Sequence, residues 1–216
     1  MKEIFAIVKK EYLVDSRQKY LIAGIALYIF ATIYISYLTF NNIINSTTWN
    51  ALFWIILLFA SLTGIGKSFI QEENRSYYYY FLIKPTNILL GKLIYYTVYE
   101  FVLLALTFGL VTVFLGNPLN QLGLFLINLA LGAMGIAASF TMTSAIASKS
   151  TNQSTMLAVI SFPIIIPVLI LAVKNSKQIV LGANWADISG NTFALISVIV
   201  VIIAVSFILF PYSWKN

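Results

Sequence analysis

Long apolar runs broken by short polar stretches set the pattern of this chain from residue 20 onward. Six of them, Tyr20–Phe40, Thr48–Gly66, Leu93–Leu115, Leu122–Ala147, Thr155–Val173 and Thr192–Phe210, match the roughly 20 residues a helix needs to cross a hydrocarbon core. Between them they hold one Asp, Glu, Lys or Arg, which is Glu100. The first run does not read as a signal peptide, being too long for an h-region and lacking a small-residue cleavage site after it. Ahead of it, residues 2–17 place Ile4, Phe5, Val8 and Tyr12 near one helical face, with Lys2, Lys9 and Lys10 elsewhere. That pattern predicts an interfacial elbow helix over 1–19 that turns into the first span, the alternative being a frayed tail. The expected fold is all-α and integral to the membrane: six transmembrane helices in one domain over 1–216, with polar segments at 67–92 and 174–191.

Composition removes the competing classes. Of 216 residues, 60% are hydrophobic and 9% charged, against about a quarter charged in soluble domains. So few charges cannot cover a water-facing surface, and most of this chain has lipid as its solvent. With no Cys and no His, thiol chemistry, zinc fingers and the usual acid–base residue of hydrolases are absent, and the chain does not read as an enzyme.

The net charge of +6 is topological. Lys and Arg gather in cytoplasmic loops. Here Lys2, Lys9, Lys10, Arg17, Lys19, Lys67, Arg75, Lys84, Lys92, Lys149 and Lys215 fall on one side, leaving only Lys174 and Lys177 on the other. Both termini are therefore expected in the cytoplasm of a bacterial inner membrane, with 67–92 cytoplasmic and 174–191 periplasmic. No nucleic-acid partner is implied.

Few residues are left to carry chemistry. Gly66-Lys67-Ser68 ends like a phosphate-binding loop, but residue 61, where its first glycine belongs, is Ser61, and the preceding residues form a span instead of a buried strand. Glu100 lies eight residues after Lys92, about 12 Å along a helix, near mid-membrane, where a carboxylate is costly. It is either functional, or a protonated or hydrogen-bonded residue joining helices through Tyr96 or Asn128. Pro163 and Pro167 each remove a backbone donor from the fifth span, predicting a kink that serves as a gate or as packing variation. Gly135, Ser139, Thr143 and Ala147 form a small-residue stripe for close helix approach. Tyr77–Tyr80 reads as an interfacial aromatic belt. The segment Ser68–Asn74, acidic within a basic loop, is the candidate docking contact for a cytoplasmic ATPase through Phe69, Gln71, Glu72, Glu73 and Asn74, or else an ordinary solvated turn.

Three stretches carry a family resemblance: LFWIILLFASLTGIGKSFIQEEN over 52–74, LIKPTNILLGK over 82–92 and ISFPIIIPVLILAV over 160–173. In this order they resemble the CcmB family, the heme-exporter permease of the bacterial cytochrome c maturation system. Tyr96 and Thr97 stand where many relatives carry a His–Trp pair, so no role of that histidine carries over. The resemblance implies an ABC-2-like six-helix permease with an elbow helix and a coupling helix after the second span. The implied partners are a cytoplasmic ABC ATPase subunit that binds ATP and Mg, a heme-handling membrane subunit, a periplasmic heme chaperone and membrane lipid. Heme is the implied cargo. With no His or Cys, axial ligation is expected from a partner, and this chain alone binds no cofactor. A permease for another cargo, such as a lipid, glycan or drug, and a non-transporting scaffold remain as alternatives.

The charge asymmetry sets a test of topology. Single cysteines at positions 46 and 177 are expected to react with an impermeant thiol reagent from outside, and one at position 76 only after permeabilisation. Labelling of all three from one side contradicts the six-span arrangement.

Overall fold

The computed structural model of the chain describes residues 2–40, 44–66, 68–69, 83–119 and 121–215. Among them are seven helices and no strand: α1 (Lys2–Arg17), α2 (Lys19–Phe40), α3 (Ser46–Ile65), α4 (Pro85–Leu115), α5 (Leu122–Ala147), α6 (Gln153–Val180) and α7 (Trp185–Lys215). Six of these, α2 to α7, are long and apolar enough to cross a membrane. Helices suit that setting because each satisfies its own backbone hydrogen bonds where lipid offers none.

The helices outrun the apolar stretches that announce them. The segment 174–191 is mostly helical, since α6 continues to Val180 and α7 begins at Trp185. Only residues 181–184 turn between them, with Gly182 at φ 93°, a left-handed conformation that a side chain resists. Likewise residues 85–92 of the expected coupling loop are the first two turns of α4. Pro85 opens that helix at a position whose N–H would have had no partner within the helix. Polar residues such as Lys174 end an apolar run without ending a helix.

At the centre stands α5, packed against α3, α4, α6 and α7. Its small-residue stripe, Gly135, Ser139, Thr143 and Ala147, is buried. The Ser139 and Thr143 hydroxyls donate back to the Gly135 and Ser139 carbonyls at 2.7 and 3.0 Å, so the stripe needs no outside partner. Close approach is literal at Gly132, where a Cβ would overlap the Trp54 ring of α3. The Trp54 indole N–H in turn donates to Ser176 Oγ on α6 at 2.8 Å. Asn50 and Asn128 donate to the neighbouring carbonyls of Val173 and Ala172, tying α3 and α5 to the same turn of α6.

On the periphery, α2 buries a narrow seam of Ile25, Ile29 and Ile33 at four-residue spacing. The elbow helix α1 packs mainly on α4, not on α2. Ile7, Phe69, Ile88, Leu89, Ala145 and Phe210 form a small core of their own, which places the start of α1, the root of the 67–82 segment and the end of α7 at one end of the bundle. Both chain termini therefore belong to the same end.

The Trp54 seat is expected to be intolerant of bulk. Gly132→Val should destabilise the protein by about 1–3 kcal/mol through overpacking, read by SDS-titrated unfolding in mixed micelles. Gly109→Ala, where nothing lies within 4 Å of the added carbon, should change stability by less than about 0.5 kcal/mol.

Candidate functional site

At the terminus-bearing end, α4 turns a stripe of Lys92, Tyr96 and Glu100 into the protein, all buried. The four-residue spacing puts them on one helix face. The elbow helix meets the first part of this stripe. Its inward face carries Ile7 and Glu11, the latter 2% exposed, while Phe5 and Tyr12 point outward. The sequence reading grouped Ile4, Phe5, Val8 and Tyr12 as the apolar face of an interfacial helix; the face packed on α4 carries Ile7 and Glu11, and Glu11 has a charged partner across the seam. Gly91 permits the contact, since a Cβ there would lie 2.8 Å from Ile7 Cβ.

The partner is Lys92, fully buried, whose ammonium lies 3.1 Å from Glu11 Oε1. The same ammonium donates to the Ser68 carbonyl and lies 4.3 Å from the centre of the Phe69 ring. Tyr96 donates to Glu11 Oε2 at 3.1 Å, and Lys10 reaches Oε1 at 3.0 Å. Two further contacts fasten the elbow along α4: Tyr95 donates to Asp15 at 2.8 Å and Asn87 to Glu3 at 2.6 Å. Phe69 is pinned from a third side, its N–H donating to Ser144 Oγ of α5 at 3.0 Å and its ring packing on Phe210 of α7 at 5.4 Å. Lys92 thus joins the elbow helix and the root of the 67–82 segment to α4, and Phe69 carries the connection to α5 and α7.

Burial pushes the Glu11 carboxyl up, but Lys92 and then Lys10 outweigh it and hold the group below its ordinary value. Burial raises Asp15 above its ordinary value; Glu11 adds to that, and the Tyr95 hydrogen bond opposes it. The two carboxylates therefore act in opposite directions on stability as pH falls.

Other expected site residues fall elsewhere. Phe69, expected as the apolar anchor of an ATPase contact, is 3% exposed and belongs to this chain's own core. Gln71, Glu72, Glu73 and Asn74 lie outside the described residues, as do Lys67, Arg75 and Tyr77–Tyr80. Glu100 joins α4 to α3 through Ser61, whose Oγ lies 2.7 Å from Oε1; neither Tyr96 nor Asn128 is its partner. Tyr96 is turned to Glu11, and Asn128 to Ala172. Pro163 and Pro167 sit within α6, which runs continuously from Gln153 to Val180. With Met142 of α5 and Ser197, Val201 and Val205 of α7, they line an open apolar groove of about 440 Å³.

Sequence reasoning missed Glu11 and counted Lys92 only as a topological charge. The signal was present: Ile4, Ile7 and Glu11 share one helical face of α1, and Lys92, Tyr96 and Glu100 share one of α4. Among the described residues no group of three His, Cys, Asp or Glu could hold a metal ion.

A family model described as CcmB protein matches residues 2–215. The chain belongs to the CcmB family. That family comprises the transmembrane heme-exporter permeases of cytochrome c biogenesis, and the six apolar helices agree with it. No curated protein and no solved structure matches the chain. In this CcmB-family chain the matched region takes in the elbow helix, the Lys92 node, Glu100 and the proline-lined groove alike.

The buried pair is expected to behave as a unit. Lys92→Met should cost about 3–5 kcal/mol by removing the fully buried partner of Glu11 and leaving it only Lys10 and Tyr96, and Lys92→Met with Glu11→Met should recover most of it. Because Glu11 is held below its ordinary value, its contribution is complete above that value and lost as pH falls through the depressed one. Unfolding measured against pH should show this acid loss in the wild type and not in the double variant.

Proposed function

We propose that this chain is the membrane subunit of an ATP-driven complex in the bacterial inner membrane, with both termini cytoplasmic. A partner ATPase supplies hydrolysis and binds ATP and Mg. Movement of the 67–82 segment is passed to the helices, and this drives heme export or releases a heme-loaded periplasmic chaperone. Family membership supports heme as the cargo. The observation that carries the mechanical part is the Lys92 node. It joins the segment root at Ser68 and Phe69 to α4 and the elbow helix, while Phe69 holds α5 and α7.

A displacement at that root cannot be absorbed locally. Ser68 and Phe69 are both buried, and their partners lie on α4, α5 and α7. Packed interfaces pass small shifts on as movements of whole elements. The polar residues Gln71, Glu72, Glu73 and Asn74 offer the contact to the ATPase, and Phe69 transmits its motion. Pro163 and Pro167, lining the groove between α6 and α7, are the proposed site of helix bending. Axial ligands to heme iron come from the heme-handling membrane subunit: of the methionines, Met142 is buried, and Met134 and Met156 are exposed on the outer faces of α5 and α6.

Co-purification with the ATPase separates contact from transmission. Glu72→Lys with Glu73→Lys is expected to abolish ATPase capture through repulsion. Phe69→Ala should retain capture while lowering membrane-stimulated turnover several-fold, and changes at Lys174 or Lys177 should affect neither. Retention of both capture and turnover by every loop variant contradicts the proposal. The purified subunit alone is expected to show no saturable Soret shift with hemin, and a stoichiometric low-spin spectrum would place the ligands here after all.

A further inference from the structure

Glu100 and Ser61 are both fully buried in the seam between α4 and α3. Ser61 Oγ makes two short contacts, 2.6 Å to the Leu57 carbonyl oxygen and 2.7 Å to Glu100 Oε1. A hydroxyl has one hydrogen to donate, and a carbonyl has none. If Ser61 gave its hydrogen to an ionised Glu100, the Leu57 oxygen would face Oγ at 2.6 Å with no proton between them. Both contacts are satisfied together when Ser61 donates to Leu57 and Glu100 donates to Ser61. The other carboxyl oxygen, Oε2, has no partner among the described residues, which costs less for the carbonyl oxygen of an acid than for one end of a carboxylate.

We propose that Glu100 is a proton-binding site, a neutral acid that donates its own hydrogen to Ser61 and keeps it while α3 and α4 stay packed. Among the described residues no counter-charge faces it. No Asp, Glu, Lys, Arg, His, Cys or Tyr occurs in α3 or α5. On α4 the neighbours are Tyr95, Tyr96 and Tyr99, with Lys92 two turns away and paired to Glu11. On the other helices packed against α4, α1 presents Glu3, Glu11 and Asp15, each engaged with an α4 side chain, and Lys10, which is paired with Glu11. On α2 the titratable groups are tyrosines and the exposed Lys19 at its start, and Asp187 of α7 lies in that helix's first turn, at the opposite end of the bundle.

A functional consequence follows from linkage. Opening the α3–α4 seam to water would let the acid ionise, so the packed arrangement takes up one proton and the open one releases it. Alkaline conditions therefore favour the open seam. Since α3 leads directly to Ser68 and Phe69, this is the seam that movement of the 67–82 segment would strain. Only that last link rests on the proposed ATPase coupling; the proton site rests on the Ser61 geometry.

The test uses the full chain in lipid nanodiscs at neutral pH. The infrared difference between wild type and Glu100→Gln should show the carbonyl stretch of a protonated carboxyl in the wild type, shifted in Ser61→Ala by loss of its acceptor. Ionised carboxylate bands in that difference overturn the proposal. Glu100→Gln keeps an N–H for Ser61 and is expected to fold. Should it fail to fold, wild type treated with dicyclohexylcarbodiimide decides. The acid adds across the reagent's C=N bond with no leaving group, and the adduct should map to Glu100 at neutral pH and be lost at alkaline pH. Absence of that adduct, or its persistence at alkaline pH, overturns the proposal.

Discussion

Lipid surrounds this chain and gives its helices neither hydrogen bonds nor a hydrophobic reason to associate. Within the hydrocarbon every polar group must find a partner inside the protein, and helix contacts depend on close packing and a few directional bonds. The central helix answers the first demand locally. Ser139 and Thr143 return their hydroxyl hydrogens to carbonyls four residues back, leaving a smooth small-residue face. Gly132 and Gly135 answer the second by admitting Trp54 and Val168 at distances that no side chain would allow.

The two ends of the bundle are joined by different chemistry. Away from the termini the buried side chains join the helices through neutral bonds: Trp49 donates to the Gly116 carbonyl at 2.9 Å, and Asn50, Asn128 and Trp54 converge on α6. At the terminus-bearing end a buried ion pair does the joining. Removing two ions from water is expensive, and hydrophobic replacements are often at least as stable. What the pair adds is specificity of position. Lys92 has one geometry that meets Glu11, the Ser68 carbonyl and the Phe69 ring together, so the elbow helix, the segment root and α4 are held in a fixed relation.

The stripe that begins at Lys92 continues through Tyr96 to Glu100, and the change of partner along it is informative. Lys92 and Tyr96 look outward to the elbow helix, whereas Glu100 looks to α3. One face of α4 therefore links α1 at one level and α3 at the next. In a chain of the CcmB family, this places α4 between the segment proposed to meet the ATPase and the membrane interior.

Six apolar helices, a further helix before them and the end of the bundle that holds the charges were all legible in the residues. Membrane thickness and the cost of burying charge act on single segments, and a single segment records them. The family resemblance was legible for a similar reason, resting on contiguous stretches at 52–74, 82–92 and 160–173. Pairing was not legible. Glu11 and Lys92 are 81 positions apart, and Ser61 and Glu100 are 39 apart. Nothing local distinguishes a lysine that marks a loop from one that enters the core. Phe69 illustrates the same limit, since an aromatic residue beside an acidic loop suits a partner's groove and its own chain's core equally. Only the approach of α1, α5 and α7 to that residue packs it into its own chain's core, because burial belongs to the assembled helices and not to the segment.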